Sequence, residues 1–261
     1  MVLISRQTIR NFGKGLAVVV ILLVVWECAA LIINNNYILP TLGEIAEVLL
    51  HPFEPVLGGE SLVANTLVSL KEVLSGFFIA AALAIPLGLL IGWSSEVQAY
   101  LNPAIQLLRP IPPIAWMPFA IAWFGIGINS ILFIIVLGAF FPILINTVDG
   151  VLSIRIRWIE VAEMFHATTP EKLRTVVFPG ALPRIWTGLR VSFAIAWMCV
   201  VAAEMLPGTT AGLGFLIMYA YNLGQLDVIG AGMVIIGIIG LGADMLFREG
   251  HARFFAWEGK E

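Results

Sequence analysis

Charge is the scarcest commodity in this sequence. Only 12% of its 261 residues are Asp, Glu, Lys or Arg, about half the share of an ordinary soluble domain. With 60% hydrophobic residues, the chain cannot build the polar surface that a water-soluble enzyme needs. A net charge of −3 lacks the basic excess of a nucleic-acid binder. The two cysteines, Cys28 and Cys199, lie far apart inside apolar runs, so a disulfide framework is not indicated and both are expected as buried packing. His51, His166 and His251 lack the close spacing of metal ligands. Gly13-Lys14-Gly15 and Gly259-Lys260-Glu261 lack the upstream Gly and downstream Ser or Thr of a phosphate cradle. No Gly-x-Ser-x-Gly nucleophile motif occurs. The sequence thus predicts no catalytic residue, metal site or cofactor site in this chain.

What is present is long apolar runs. Crossing about 30 Å of hydrocarbon takes about 20 helical residues. Four runs are clear: Leu16 to Ile33, Leu74 to Trp93, Ser130 to Val148 and Val228 to Phe247. A fifth, Ile185 to Leu206, spans if Arg190 and Glu204 lie near opposite water boundaries. A sixth requires one helix from about Ile105 to Phe124, with Gln106 and Arg109 near its cytoplasmic boundary. Arg6, Arg10 and Lys14 ahead of the first run imitate a secretion signal, but the run is long for one and reads as an uncleaved first span. The expected fold class is therefore an all-α integral membrane protein of six helices forming one domain over residues 1–261, with spans near 16–33, 74–93, 105–124, 130–148, 185–206 and 228–247.

Cytoplasmic flanks collect Lys and Arg. Six spans with both termini cytoplasmic put 13 of the 14 basic residues on that side, leaving Lys71 at the outer start of the second helix. The opposite loop, Asn34 to Val63, holds Glu44, Glu47, Glu54 and Glu60 without a Lys or Arg.

One cytoplasmic segment, 152–183, is longer than the other connections, and such loops usually have a task. Trp158 to Phe165 reads as a short amphipathic helix. A second helix restarts at Thr168-Thr169-Pro170-Glu171, through a Thr169 cap with Pro170 at the first helical position or a Thr168–Glu171 capping box. Pro179 and Pro183 are expected to end it. The resulting knob exposes Val161, Met164 and Phe165, a ridge suited to a partner's groove. Packing against the protein's own helix ends is the alternative.

Glu160-Val161-Ala162-Glu163-Met164-Phe165-His166-Ala167, followed by Val176-Val177-Phe178-Pro179-Gly180-Ala181-Leu182-Pro183, resembles the EAA loop of permease subunits in binding-protein-dependent ABC importers. Leu108-Arg109-Pro110-Ile111-Pro112-Pro113-Ile114-Ala115-Trp116, Trp123 to Gly127, Ala139 to Ile143, and Val201 to Leu206 with Gly212-Leu213-Gly214 are similar to the sulfonate, taurine, nitrate and bicarbonate branch of that family. The likeness covers nearly the whole chain. It implies a type I importer permease, paired as a homodimer, with two cytoplasmic ATPase subunits binding ATP and Mg²⁺ and docking on the coupling loop. It also implies an extracytoplasmic binding protein, and location in the plasma membrane. The loop departs from the pattern at Val161 and at His166, where the family's Gly serves a left-handed turn; His accepts that backbone better than a β-branched residue.

Ionisable residues inside the spans are costly and hence functional candidates. Glu27 beside Trp26 reads as an interfacial anchor, and Asp149, Arg190 and Asp244 as solvated or mutually paired groups near the cytoplasmic ends. Lys71, the lone outer cation, suits an incoming oxyanion, but also reads as a surface lysine or a solvated pair with Glu72. With Glu204, Trp116, Gly212 and Gly214 it forms the candidate pathway or gate. Asn65, Asn129, Asn146 and Asn222 can bond substrate or cross-link helices. Gly88 and Gly92 read as close helix packing, while Pro86, Pro118 and Pro142 mark kinks or path-lining breaks. An ion-coupled secondary transporter is the rival reading; it predicts a buried acid or base near the bilayer midplane and usually a repeat of broken helices in two halves, and the sequence displays no such repeat.

Overall fold

The computed structural model describes residues 6–255, with side chains described from residue 17. Trp257, Lys260 and the Gly259-Lys260-Glu261 tripeptide lie outside the described residues, as do the side chains of Arg6, Arg10 and Lys14. Eleven α-helices follow in order: α1 (Arg6–Ile33), α2 (Leu42–Leu50), α3 (Leu62–Trp93), α4 (Ser95–Leu108), α5 (Met117–Phe124), α6 (Ile128–Leu152), α7 (Ile156–Met164), α8 (Thr169–Lys172), α9 (Phe178–Glu204), α10 (Leu213–Leu223) and α11 (Leu226–Phe254). A 3₁₀ turn, Pro113–Trp116, precedes α5, and a π-helical segment, Leu173–Val177, joins α8 to α9. Among the described residues, four helical runs have the length and apolarity to cross a membrane: Leu62–Trp93, Ile128–Leu152, Thr169–Glu204 and Leu226–Phe254. The apolar part of α1, Ala17–Ile33, and Pro113–Phe124 are shorter.

The core is a sandwich of α3, α6 and α9 with α6 in the middle. On α3, Gly76, Ala80, Ala84, Gly88 and Gly92 recur every four residues and form one face. Opposite them α6 presents Ile135, Ala139, Ile143, Thr147 and Val151 at the same spacing. A methyl built on Gly76, Gly88 or Gly92 would fall 2.5, 2.6 or 2.6 Å from Ile135, Thr147 or Val151, respectively, so α3 and α6 lie parallel in near backbone contact. The other side of α6 meets an antiparallel α9, with Gly138 against Cys199, Asn146 against Gly188 and Gly150 against Ala181 and Arg184. Such small-residue seams let helices associate where lipid supplies no hydrophobic drive. Helix α11 closes the bundle on α9. Trp186 Nε1 donates to Phe247 O at 2.8 Å, Trp197 Nε1 to Ile236 O at 3.1 Å, and Arg190 pairs with Asp244 at 2.7 Å.

Several expectations need correction. Helix α3 starts at Leu62, capped by Ser61, so Lys71 sits well inside the helix instead of at its start. The polar residues that disguised this stretch, Asn65, Ser69 and Glu72, are buried in helix. Residues 105–124 do not form one helix: α4 ends at Leu108, and Pro110, Pro112 and Pro113 prevent the ladder from closing before the 3₁₀ turn. Pro179 and Pro183 do not stop the second loop helix, which runs through the π segment into α9; the i→i+5 register ahead of Pro179 accommodates its missing N–H. Cys28 is exposed and only Cys199 is buried packing, because α1 meets the bundle near its C-terminal end. There Trp26 Nε1 donates to Pro40 O at 3.0 Å, and Glu27 accepts from the Leu42 N–H at 2.8 Å, capping α2.

The seam makes a direct prediction. Gly88→Ala would press a methyl into Thr147 and should lower the stability of the detergent-solubilised chain by about 1–3 kcal/mol. Gly237→Ala, which meets nothing within 4 Å, should stay within about 0.5 kcal/mol. Thermal unfolding of both variants reads this; equal shifts would rule out the seam.

Candidate functional site

Three places combine polar chemistry with exposure or depth. The first is the segment between α6 and α9, at the knob end of the bundle. Helix α7 covers Ile156–Met164, close to the predicted Trp158 to Phe165. The chain then turns at His166, whose φ of +56° is left-handed, and the Ala167 N–H donates back to Ala162 O at 3.1 Å. Thr168 and Glu171 form the capping box, with the Thr168 N–H donating to Glu171 at 2.7 Å. Lys172 Nζ pairs with Glu163 at 2.8 Å and ties α8 back onto α7. The knob is thus braced from inside, while Val161, Met164 and Phe165 are 51%, 79% and 82% exposed. Glu160 and His166 are exposed beside them, Ala162 and Ala167 are half-buried, Pro179 is exposed and Pro183 buried.

The second place lies at the opposite end. Helix α10 begins with Gly212, Leu213 and Gly214 and has no cap from its own sequence. Its orphan N–H groups are met by two other helices: Gly212 N–H donates to Asn65 Oδ1 at 2.9 Å, Leu213 N–H to Ser69 Oγ at 2.8 Å and Gly214 N–H to Glu204 Oε2 at 2.8 Å. Glu204 is fully buried, and Glu72 packs against it. Glycine is obligatory at both flanks. Gly212 has φ +114°, and a methyl on Gly214 would fall 2.1 Å from Val201 O. Glu204, Gly212 and Gly214 therefore meet at the start of α10. Lys71 and Trp116 do not join them: Lys71 is exposed on another face of α3, and Glu72 is buried, so the solvated Lys71–Glu72 pair does not exist. Asn65, read as able to bond substrate or cross-link helices, cross-links α3 to α10; sequence reasoning missed Ser69 as a second partner of α10 and Glu72 as the neighbour of Glu204. Their spacing, which puts all three on one helical face, was the available signal.

The third place is the break after α4. Trp116 and Arg109 line a cavity of about 330 Å³ against Gly138, Pro142 and Asn146 of α6 and Val191 and Ile195 of α9. A second cavity of about 510 Å³, toward the knob end, shares Arg109 and Ile145 and reaches Asp149. Pro142 lines the smaller cavity, and Asn146 Nδ2 donates to its carbonyl oxygen at 2.8 Å. Asn222 instead bonds Met218 O within its own exposed turn. No group of three or more His, Cys, Asp or Glu able to hold a metal occurs among the described residues.

Residues 84–248, more than half the chain, match the family model of the binding-protein-dependent transport system inner membrane component. The chain belongs to this family of ABC importer permeases. It is 52% identical to a putative ABC transporter permease of Methanocaldococcus jannaschii, over 90% of this chain and 88% of that one. A putative aliphatic sulfonates transport permease of Bacillus subtilis is 33% identical over 95% and 89% of the two chains. Permeases of taurine, bicarbonate and nitrate transport systems match at 34–36% identity. In structure, a chain of the inward-facing MetNI methionine ABC transporter superposes with a TM-score of 0.59 at 20% identity, covering 72% of this permease and 95% of that chain. That likeness establishes a shared permease fold and no more.

Two variants probe this geometry. Glu204→Ala should strand the Gly214 N–H in the interior and cost about 1–3 kcal/mol, with faster hydrogen exchange over 212–218, while Glu204→Gln retains an acceptor and should fall between; unaltered exchange in Glu204→Ala would refute the capping role. At the knob, His166→Val should destabilise the turn by about 1–2 kcal/mol and His166→Gly should not, with proteolytic cleavage of segment 156–172 as the readout.

Proposed function

We propose that this permease is the membrane subunit of an ATP-driven importer for a small oxyanion, and that the knob is where its ATPase docks. The observation that carries the reading is the knob's construction: a ridge of Val161, Met164 and Phe165 held out from the bundle on a base braced by Glu163–Lys172 and the Thr168–Glu171 box. A braced ridge presents its apolar side chains at little ordering cost, which suits insertion into a partner's groove. Six crossings are proposed, from the four long helical runs together with α1 and the broken α4–α5 unit. The knob end is cytoplasmic, as are both termini, and the basic flanks support that orientation. In the plasma membrane two copies would pair around one pathway. Two ATPase subunits, which bind ATP and Mg²⁺, would engage the two knobs, and an extracytoplasmic binding protein would deliver solute at the α10 end. The relatives' sulfonate, taurine, bicarbonate and nitrate systems support an oxyanion as cargo.

ATP closes the ATPase pair, the knobs approach one another and the pathway changes the side to which it opens. ATP drives this change only by binding one global state better than the other. Glu163→Lys combined with His166→Lys should break the internal brace and place two cations on the ridge, abolishing nitrate, taurine and bicarbonate uptake while the permease still inserts and accumulates. Uptake into reconstituted vesicles containing the ATPase and the binding protein reads this, and unchanged uptake overturns the knob's role. The wild-type permease purified in mild detergent from its host should carry an ATPase subunit with it.

A further inference from the structure

The break that corrects the third span also moves Arg109. Helix α6 runs from Ile128 to Leu152, so Gly138 and Pro142 of the smaller cavity straddle its midpoint. Val191 and Ile195, on the facing wall, lie about midway along α9. Arg109, itself exposed, therefore lies between the middle of α6 and its knob end, where the two cavities meet at Ile145. It also lines the wider cavity, which continues past Ile145 to Asp149 and Leu152 at the knob end. Arg109 has no ion-pair partner among the described residues; Asp149 shares the wider cavity with it but makes no salt bridge.

A guanidinium at this depth is expensive in lipid, and non-helical backbone is tolerated there only where it is buried in protein or lines a water-filled space. Residues 109–112 combine both features beside two cavities, so this face of the bundle borders an aqueous path. The walls around it, Trp116, Phe141, Val191 and Ile195, are apolar and strengthen any electrostatic contact made there. A guanidinium's planar fork offers parallel N–H groups to the oxygens of an oxyanion, which a point charge does not. We propose that Arg109 is the anion-contact residue of the translocation path, held at the junction of the two cavities by the α4–α5 break and binding the oxyanion in the cavity it shares with Asn146 and Trp116. The proposal rests on the importer reading for the identity of the anion, but not for the charge and wetness of the cavity.

The test has two arms, in the assembled transporter. In a background of Cys28→Ser and Cys199→Ala, Ile145→Cys is labelled with sulfonatoethyl or aminoethyl methanethiosulfonate. With Arg109 present the anionic reagent should react at least about fivefold faster, and Arg109→Ala should remove that preference. Val191→Cys, on the facing wall, repeats the measurement if the first variant assembles poorly. Failure of both reagents to react, or a preference indifferent to Arg109→Ala, overturns the proposal. In the second arm, Arg109→Ala should lower kcat/KM for nitrate, taurine or bicarbonate uptake at least about tenfold, with Arg109→Lys between. Unchanged uptake in Arg109→Ala overturns the contact role. If the wild-type transporter carries none of the three solutes while the labelling preference holds, the cargo reading fails and the electropositive cavity stands.

Discussion

Everything in this bundle depends on how closely α6 can be approached from two sides at once. In lipid, helices gain little by hiding apolar surface from one another, and association rests on packing and hydrogen bonds. Helix α6 meets that constraint with two rows offset around its axis: Ile135, Thr147 and Val151 enter notches left by Gly76, Gly88 and Gly92, while its own Gly138 and Gly150 receive Cys199, Ala181 and Arg184. Because the notches recur every four residues, the contact also fixes register. Sliding α3 by one residue would set Ser75, Leu87 and Ile91, or Phe77, Leu89 and Trp93, against the side chains that now fill the notches. The cavities along α6 follow from the same arrangement, since they open on the side of α6 where the short α4 and α5 stand in place of a continuous helix.

Polar groups in such a bundle must find partners inside it, and their pairing shows which are structural. Glu27 caps α2, Arg190 meets Asp244, and Asn65, Ser69 and Glu204 satisfy the start of α10. Of these only Glu204 was a candidate for the pathway, and Asn65 for bonding substrate or cross-linking helices; the hydrogen bonds account for the whole set as fasteners. Arg109 departs from this pattern, since it combines depth with the lack of an ion-pair partner among the described residues.

The apolar runs made the four long helices legible in outline, and the capping signals located α8. Fully polar-looking starts hid the rest. Asn65, Ser69 and Glu72 fell outside the expected span and Lys71 at its outer start because hydropathy averages over all faces, whereas burial concerns only one; the first twelve residues of α3, 62–73, were missed for that reason. The 105–124 stretch erred in the other direction. Its composition suits a span, but three prolines within four residues decide backbone hydrogen bonding locally and override the average. The role of Pro179 was unreadable because a π segment, which has no sequence signature of its own, absorbs it. The left-handed turn at His166 was legible, since the family's Gly at that place already implied the backbone that the histidine adopts.

One helical run links the three places. From Thr169 to Glu204 the chain is a continuous helix of 36 residues, about 54 Å at 1.5 Å per residue. Its first turn is clamped to the knob by Lys172, its middle supplies Val191 and Ile195 to the cavity wall, and its last residue holds the start of α10. A displacement applied at the knob therefore has a direct mechanical route to the cavity and to the far end. The π segment between Lys172 and Phe178 is the least regular part of that rod, and π turns recur at functional positions in helices. A rod with one irregular joint near its knob end can let the knob reorient by a small angle relative to the packed portion beyond Gly180. The glycine seams then constrain that portion: Gly188 on Asn146 and Gly150 on Ala181 resist separation of α9 from α6, so a displacement of α9 would carry α6 with it, whereas among the described residues the glycine contacts place no such seam between α6 and α4 or α5.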